Sequence, residues 1–410
     1  MMDLFTILLI ISLTSVSNCS LALKLEDNDN ELVFASIVYR HGERNPDSFY
    51  TNDPYQNLSY WPDGLGALTD RGKKEQLKLG KWLRRRYDPL IVDGRYSHDL
   101  LYVQSTDVDR TIMSALVNLA GMFYPSQQER WSSINWQPIP VHTVPKHLDK
   151  ELLIMLTKCP KIKEEEELIK ENPIVKQYNE ENSRMFIELA KHTGETTPLN
   201  PSKTRTIYTN LNIESQTLIN FSIPCWAKCY YPEPMSRVSV FSLKMLTMTK
   251  TLKRLRGGPL LKEIITHMKE KKDGSLKQKL WMYSAHDVTL TCLLDAMGVF
   301  EPHIPPLSAT VMVELRKNKN KDYFVSVHYK NSTEEPFVLE IPGCIPSCPL
   351  HKFESLLSDV IPEDWEKECH SNEPADVTFE DYWWLMEEHY YSNISTAALE
   401  CGARSRGSRK

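Results

Sequence analysis

The chain has 410 residues, 41% of them hydrophobic and 25% charged, with a formal net charge of -5. That composition suits a globular protein long enough for a large core with an inserted lobe, and it excludes a disordered or fibrous chain. The small negative balance leaves no electrostatic footprint for nucleic acid or for an anionic membrane surface.

Residues 4–13 form an apolar run too short to span a bilayer and of the length of a signal-peptide core, with a cleavage site after Cys19 or Ser20. No Lys or Arg precedes it, but the polar stretch 26–30 separates it from the first strand, so 1–20 read as a removable signal peptide. No later segment approaches about eighteen apolar residues, and no membrane span is expected. Residues 31–39 (ELVFASIVY) are apolar and β-branched, as in a buried strand of a mainly parallel sheet. Arg40-His41-Gly42-Glu43-Arg44-Asn45-Pro46 comes at once after it. Gly42 permits a sharp turn and Pro46 stops the strand, so a histidine between two arginines stands at a carboxyl strand end, where open α/β sheets hold ligands. Guanidinium forks there match phosphate oxygens in pairs.

The loop 49–62 is aromatic and proline-rich and carries a glycosylation sequon at Asn57. A helix follows from an N-cap at Thr69 or Asp70, with Leu79, Leu83 and Tyr87 on one face and Arg84, Arg85 and Arg86 as a solvated last turn. A second strand, 100–103, leads to Ser105-Thr106-Asp107-Val108-Asp109-Arg110, where Ser105 or Thr106 is expected to cap a helix bearing Ile112, Ala115, Leu116, Leu119 and Phe123. Arg110 then lies in a first helical turn, which is unfavourable for a cation unless an anion is near; Asp107 or Asp109 pairing with it is the simpler reading. Residues 131–145 are extended and aromatic, and 150–274 turn charge-rich and helical, an inserted cap whose acidic run at 164–167 is a solvated face. A third strand, 280–284, ends in Ala285-His286-Asp287 before a helix over 288–297, and a hairpin pairs 310–315 with 323–329 across a lysine-rich turn.

Of nine cysteines, eight lie beyond the expected leader: Cys159, Cys225, Cys229, Cys292, Cys344, Cys348, Cys369 and Cys401. An even number in an exported chain implies disulfides without fixing their connectivity. Further sequons at Asn220, Asn331 and Asn393 fit the same route, and the tail 401–410 is small, basic and expected to be disordered. Cys344, Cys348 and His351 could be read as zinc ligands, but the spacing is loose and the compartment oxidising; no metal and no cofactor is expected.

These residues suffice for phosphate monoester hydrolysis. His41 would be the nucleophile, with its other ring nitrogen held by a backbone carbonyl. Arg40, Arg44 and Arg110 would bind the phosphoryl oxygens, His286 would add a donor, and Asp287 would protonate the departing alcohol and later accept a proton from water. An unperturbed Asp titrates near ~3.9 and a phosphate monoester loses its second proton near ~6, so an acidic optimum is expected.

The motifs RHGERNP, LTDRG (68–72), STDVDRT, WQPIPVHTVP, YSAHD and PGCIPSCPL (342–350), in this order over 31–369, resemble the histidine acid phosphatases, the branch with the prostatic and lysosomal enzymes. The resemblance implies an α/β fold: a phosphoglycerate-mutase-like core with a mainly parallel sheet flanked by helices (24–150 and 275–375), a mainly α-helical cap (151–274) and a tail (376–410) without a transmembrane helix. It implies His41 as phosphate acceptor, Asp287 as proton donor, and Arg40, Arg44, Arg110 and His286 as phosphate ligands. It also implies disulfides Cys344–Cys348 and Cys159–Cys369. The third bridge of the family is absent, Ser215 and Thr310 standing near its places, and this leaves Cys225 and Cys229 as a candidate pair, Cys292 buried on an apolar helix and Cys401 unassigned. A homodimer through the segment around Trp136 and His142 would match the family. Gln104 stands where close relatives have arginine, and Glu43 replaces a common Asp. The expected protein is a secreted acid phosphatase, with the lysosomal lumen as the other destination. The alternatives are a catalytically weak phosphatase-fold binding protein or antigen, and a phytase-like or lysophospholipid phosphatase.

Overall fold

The computed structural model describes residues 30–91, 94–216, 221–331 and 335–370. The expected signal peptide, the sequons at Asn220 and Asn393, Cys401 and the tail lie outside them.

The sheet grows from β1 (Glu31–Arg40), whose residues 34–39 are buried without a break, the signature of a strand covered on both faces. It runs parallel to β4 (Leu280–Ala285), Tyr39 opposite Ser284, and β4 runs parallel to β2 (Leu101–Thr106), which carries the short parallel edge strand β3 (His142–Val144). The other side of β1 is antiparallel: β5 (Thr310–Lys317) and β6 (Tyr323–Lys330) form the expected hairpin, and β7 (Phe337–Leu339) and β8 (Cys348–Pro349) both pair with β6. The order is β3-β2-β4-β1-β5-β6-β7, parallel from β3 to β1 and antiparallel from β1 to β7. The carboxyl ends of β1, β2 and β4 therefore share one rim.

Alternation along β1 sorts the helices. Ala35, Ile37 and Tyr39 pack with α1 (Asp70–Arg86) and α2 (Asp109–Met122) on one face. Phe34 and Val38 pack with Leu260, Ile264 and Leu290 on the other. The helices α1 and α2 touch backbone to backbone: a Cβ on Gly80 would lie 1.9 Å from the Asn118 carbonyl oxygen, and one on Gly121 2.4 Å from that of Leu77. Below the rim, Gln76 Nε2 donates to the carbonyl of Arg40 at 3.0 Å, and Asn118 Nδ2 to Gln76 Oε1 at 3.3 Å.

The cap helices α3 (Pro160–Glu171), α4 (Pro173–Glu181), α5 (Ser183–Thr193), α6 (Pro201–Gln216), α7 (Met235–Lys244) and α8 (Lys250–Arg256) have their own hydrophobic cluster. Next comes α9 (Gly258–Asp273), which sequence placed in the cap; its Leu260, Leu261, Ile264 and Met268 are buried against the sheet instead. It is followed by α10 (Asp287–Ala296), α11 (Leu350–Leu357) and α12 (Trp365–Cys369). The last packs on the cap, where Trp365 Nε1 donates to Leu255 O at 3.0 Å and Cys369 is disulfide-bonded to Cys159. Among the described residues no helix is long and apolar enough to cross a membrane.

Three local expectations change. Thr69 does cap α1, accepting from Gly72 N at 3.1 Å, but the N-cap of α2 is Val108, with no side-chain bond. Ser105 and Thr106 remain in β2 because the pairing with β4 and β3 runs on through them. Arg86 is not solvated: it pairs at 2.7 Å with the buried Glu314 of β5, which also accepts from Tyr87 Oη. Cys344 and Cys348 form a disulfide, which leaves no thiolate there for zinc. Cys225 and Cys229 are not paired with each other, since Cys225 is a free, exposed thiol and Cys229 is bonded elsewhere. Residues 225–229 run through a turn into a 3₁₀ helix, Ala227 N donating to Pro224 O and Cys229 N to Trp226 O, so positions four apart are out of line by about 120°. Cys292 is buried on α10, and burial pushes its thiol up to about 12.

A carboxyl pair joins the cap to the loop after β1. Asp53 and Glu214 of α6 are both buried, their carboxyl groups close together beside Tyr50. Burial, then Asp53, pushes Glu214 up to about 8. The native state thus holds a proton that the unfolded chain releases at ordinary carboxylate values. Its stability is full in acid and falls as pH rises towards about 8. We expect Glu214→Gln to recover on the order of 1–3 kcal/mol at neutral pH relative to pH 5. Thermal unfolding of both proteins against pH reads this out, and parallel curves would count against it.

Candidate active site

The turn after β1 is fixed by its backbone: Arg40 N donates to Ala309 O at 2.9 Å, and His41 N to Ala285 O at 3.0 Å. Gly42 then lies flat on the first turn of α1. A Cβ there would be 2.4 Å from the Gly72 carbonyl oxygen, and one on Gly72 would be 2.2 Å from that of Glu43. Thr69 N donates to Glu43 O at 2.9 Å, and Arg71 pairs with the Glu43 carboxylate at 3.1 Å. LTDRG is thus the clamp that shapes RHGER, a role its sequence did not disclose.

His41 is buried, with Nδ1 2.8 Å from the carbonyl oxygen of Gly42. A carbonyl only accepts, so Nδ1 carries the proton and Nε2 keeps its lone pair. Burial first, then Arg110, Arg40, His286 and Arg44, hold its pKa well below the ordinary imidazole value, and the ring is neutral. His286, at the end of β4, packs edge-on to His41 with centroids 5.5 Å apart, its Nε2 3.0 Å from Thr106 Oγ1. Burial and then Arg110 bring it down to about 3, so it too is neutral.

Three guanidiniums surround the pair. Arg40 contacts Asp287 (Nη2 to Oδ2, 3.1 Å) and donates to Pro305 O. Arg44 donates to Asn45 O at 2.9 Å and pairs with Asp47 at 2.9 Å; burial lowers it to about 10. Arg110, in the first turn of α2, pairs with Asp47 at 3.1 Å rather than with Asp107 or Asp109. Arg40 Nε and Arg110 Nε are buried donors without an acceptor. An anion bound between these arginines would supply the acceptors that both Nε atoms lack.

Asp287 opens α10, its Oδ1 accepting from Val288 N at 2.8 Å. Burial raises its pKa, but the guanidiniums of Arg40 and Arg205 and the Val288 N–H hold it well below the usual carboxylate range. All six expected side chains therefore meet at the shared rim. Sequence reasoning missed two charged neighbours: Asp47, whose one signal was its place beside the signature, and Arg205 of α6, which carried none. Gln104 lies buried within β2, between β3 and β4. Asn57 and Asn331 are exposed, Trp131 and Trp136 are exposed near edge strand β3, and His142 stacks on Tyr102 with centroids 4.6 Å apart.

A family model described as histidine phosphatase superfamily (branch 2) matches residues 31–330. Prostatic acid phosphatase of Bos taurus is 40% identical over 347 residues, 83% of this chain and 88% of the relative. Lysosomal acid phosphatase of Homo sapiens is 35% identical over 354 residues, 84% of this chain and 82% of the relative. A solved phytase structure from Citrobacter braakii superposes with a TM-score of 0.62 at 20% identity, over 83% of this chain and 99% of that one, a likeness of fold alone.

Proposed function

Because the chain belongs to branch 2 of the histidine phosphatase superfamily, we propose that it is an acid phosphatase that hydrolyses phosphate monoesters through a phosphohistidine on His41. The observation that carries this is the buried, neutral His41 ring, its Nδ1 proton tied to Gly42 O and its Nε2 free among three guanidiniums. Arg40, Arg44 and Arg110 draw charge from the phosphoryl oxygens while Nε2 forms a bond to phosphorus and the ester P–O bond breaks. Asp287 gives its proton to the departing alkoxide; water then attacks phosphorus, Asp287 takes a proton back, and phosphate leaves a regenerated imidazole.

Arg40 and Arg205 hold the Asp287 carboxyl well below the usual carboxylate range, so its proton comes with the substrate. A monoanion bound against Arg40 offsets the charge that depresses this carboxyl and carries the proton it needs. Acidic pH is then required, because the monoanion prevails below ~6.

We place the protein on the secretory route, outside the cell or in a lysosomal lumen. The support is the apolar run at 4–13, the disulfides Cys159–Cys369 and Cys344–Cys348, and the exposed sequon asparagines Asn57 and Asn331. A homodimer through the surface around Trp136 and His142 is part of the same reading. The direct test is hydrolysis of an aryl phosphate from about pH 4 to about pH 8 with EDTA present. Acid-optimal turnover that survives chelation is expected; loss on chelation would make the enzyme metal-dependent and overturn the scheme.

A further inference from the structure

One charged group at the site has no part in that scheme. The Asp47 carboxylate spans two arginines from unrelated segments, Oδ2 to Arg44 Nη2 at 2.9 Å and Oδ1 to Arg110 Nη1 at 3.1 Å. One oxygen to each guanidinium is how two non-bridging phosphate oxygens would sit. Both arginine side chains are largely buried, at 12% and 14% exposure, whereas Asp47 is at 50%. The anion between them is thus the part of the arrangement open to solvent. Its backbone is held: Pro46 precedes it, and Gly66 N donates to Pro46 O at 2.8 Å. Gly66 comes so close that a Cβ there would be 2.8 Å from Asp47 Oδ1 and 3.4 Å from Arg110 Nη1.

We propose that Asp47 is an internal counter-anion that competes with phosphate for Arg44 and Arg110. It satisfies two buried cations that would otherwise repel each other. When a phosphoryl group binds, it gives up those guanidinium donors and swings towards solvent. Phosphate binding therefore includes the cost of breaking two ion pairs, and phosphate release is helped by their return. The inference rests on the reading of Arg44 and Arg110 as phosphate ligands.

The test is the inhibition constant of inorganic phosphate, with KM and kcat for an aryl phosphate, in wild type and Asp47→Asn. The substitution keeps the side chain's size and removes its charge. We expect phosphate to bind about three- to tenfold tighter and KM to fall in parallel, from the loss of a competing pair of ordinary strength. The direction is diagnostic, because damage to the fold or to the arginines' alignment can only weaken binding. Phosphate bound equally or more weakly by Asp47→Asn would overturn the proposal. Asp47→Ser, which removes the charge with a smaller side chain, guards against a folding defect peculiar to asparagine and must tighten binding in the same sense. Wild-type protein that neither bound phosphate nor hydrolysed the ester would instead bring down the phosphatase reading, and this inference with it.

Discussion

Replacing His41 with alanine should lower turnover of an aryl phosphate by on the order of 10⁴-fold or more while leaving phosphate bound. The imidazole is buried and neutral, so it adds no charge to the anion site; its contribution is the Nε2 lone pair. Arg40 and Arg44 are anchored by Pro305 O and Asn45 O, and Arg110 is set by the first turn of α2, none of which depends on His41. Calorimetric titration with phosphate should therefore give an affinity within a few-fold of wild type. The nearest substitute nucleophile is His286, also neutral, whose Nε2 lies 3.0 Å from Thr106 Oγ1. Residual activity of more than a few per cent, with the phosphoryl group trapped on His286, would move the nucleophile there.

Asp287→Asn should separate substrates by their leaving groups. An alkyl phosphate, whose alkoxide needs a proton, should lose about 10²–10⁴-fold, the usual worth of a positioned acid. An aryl phosphate with an acidic phenol should lose far less. The pH profile gives a second, independent readout. Arg40 and Arg205 oppose the effect of burial and depress the Asp287 pKa, so the carboxyl meets the substrate ionised and takes its proton from the bound monoanion. Wild-type kcat/KM should therefore fall as the substrate's monoanion is lost near ~6, and the asparagine variant, which takes no proton from the substrate, should show a flatter decline. Equal losses on both substrates with an unchanged profile would remove Asp287 from proton transfer and leave it as the partner of Arg40 at 3.1 Å.

Sequence revealed the site wherever function sits on local pattern. Residues 31–39 read as a doubly covered strand because the run is mostly apolar or small, and the chemistry had to begin where Arg40 and His41 break it. The same logic found His286 and Asp287 after 280–284. The features that sequence missed depend on partners far along the chain. Arg86 looked like a solvated helix end because Glu314, 228 residues later, is invisible to periodicity. Ser105 and Thr106 looked like helix caps because nothing local says that β4 and β3 keep pairing that far. Asp47 reads as an ordinary loop aspartate until folding brings Arg110 to it. α9 looked like cap because it continues the charge-rich helical texture of 150–274, yet at Gly257-Gly258-Pro259 the chain returns to the sheet.

The glycine contact between α1 and α2 decides where this enzyme can bend. Gly80 against Asn118 and Gly121 against Leu77 leave no side chain between two backbones that could act as a cushion. The first turn of one helix clamps the signature loop, and the first turn of the other carries Arg110. The signature loop and Arg110 are therefore carried by two helices in direct backbone contact, so a shift of one is felt by the other.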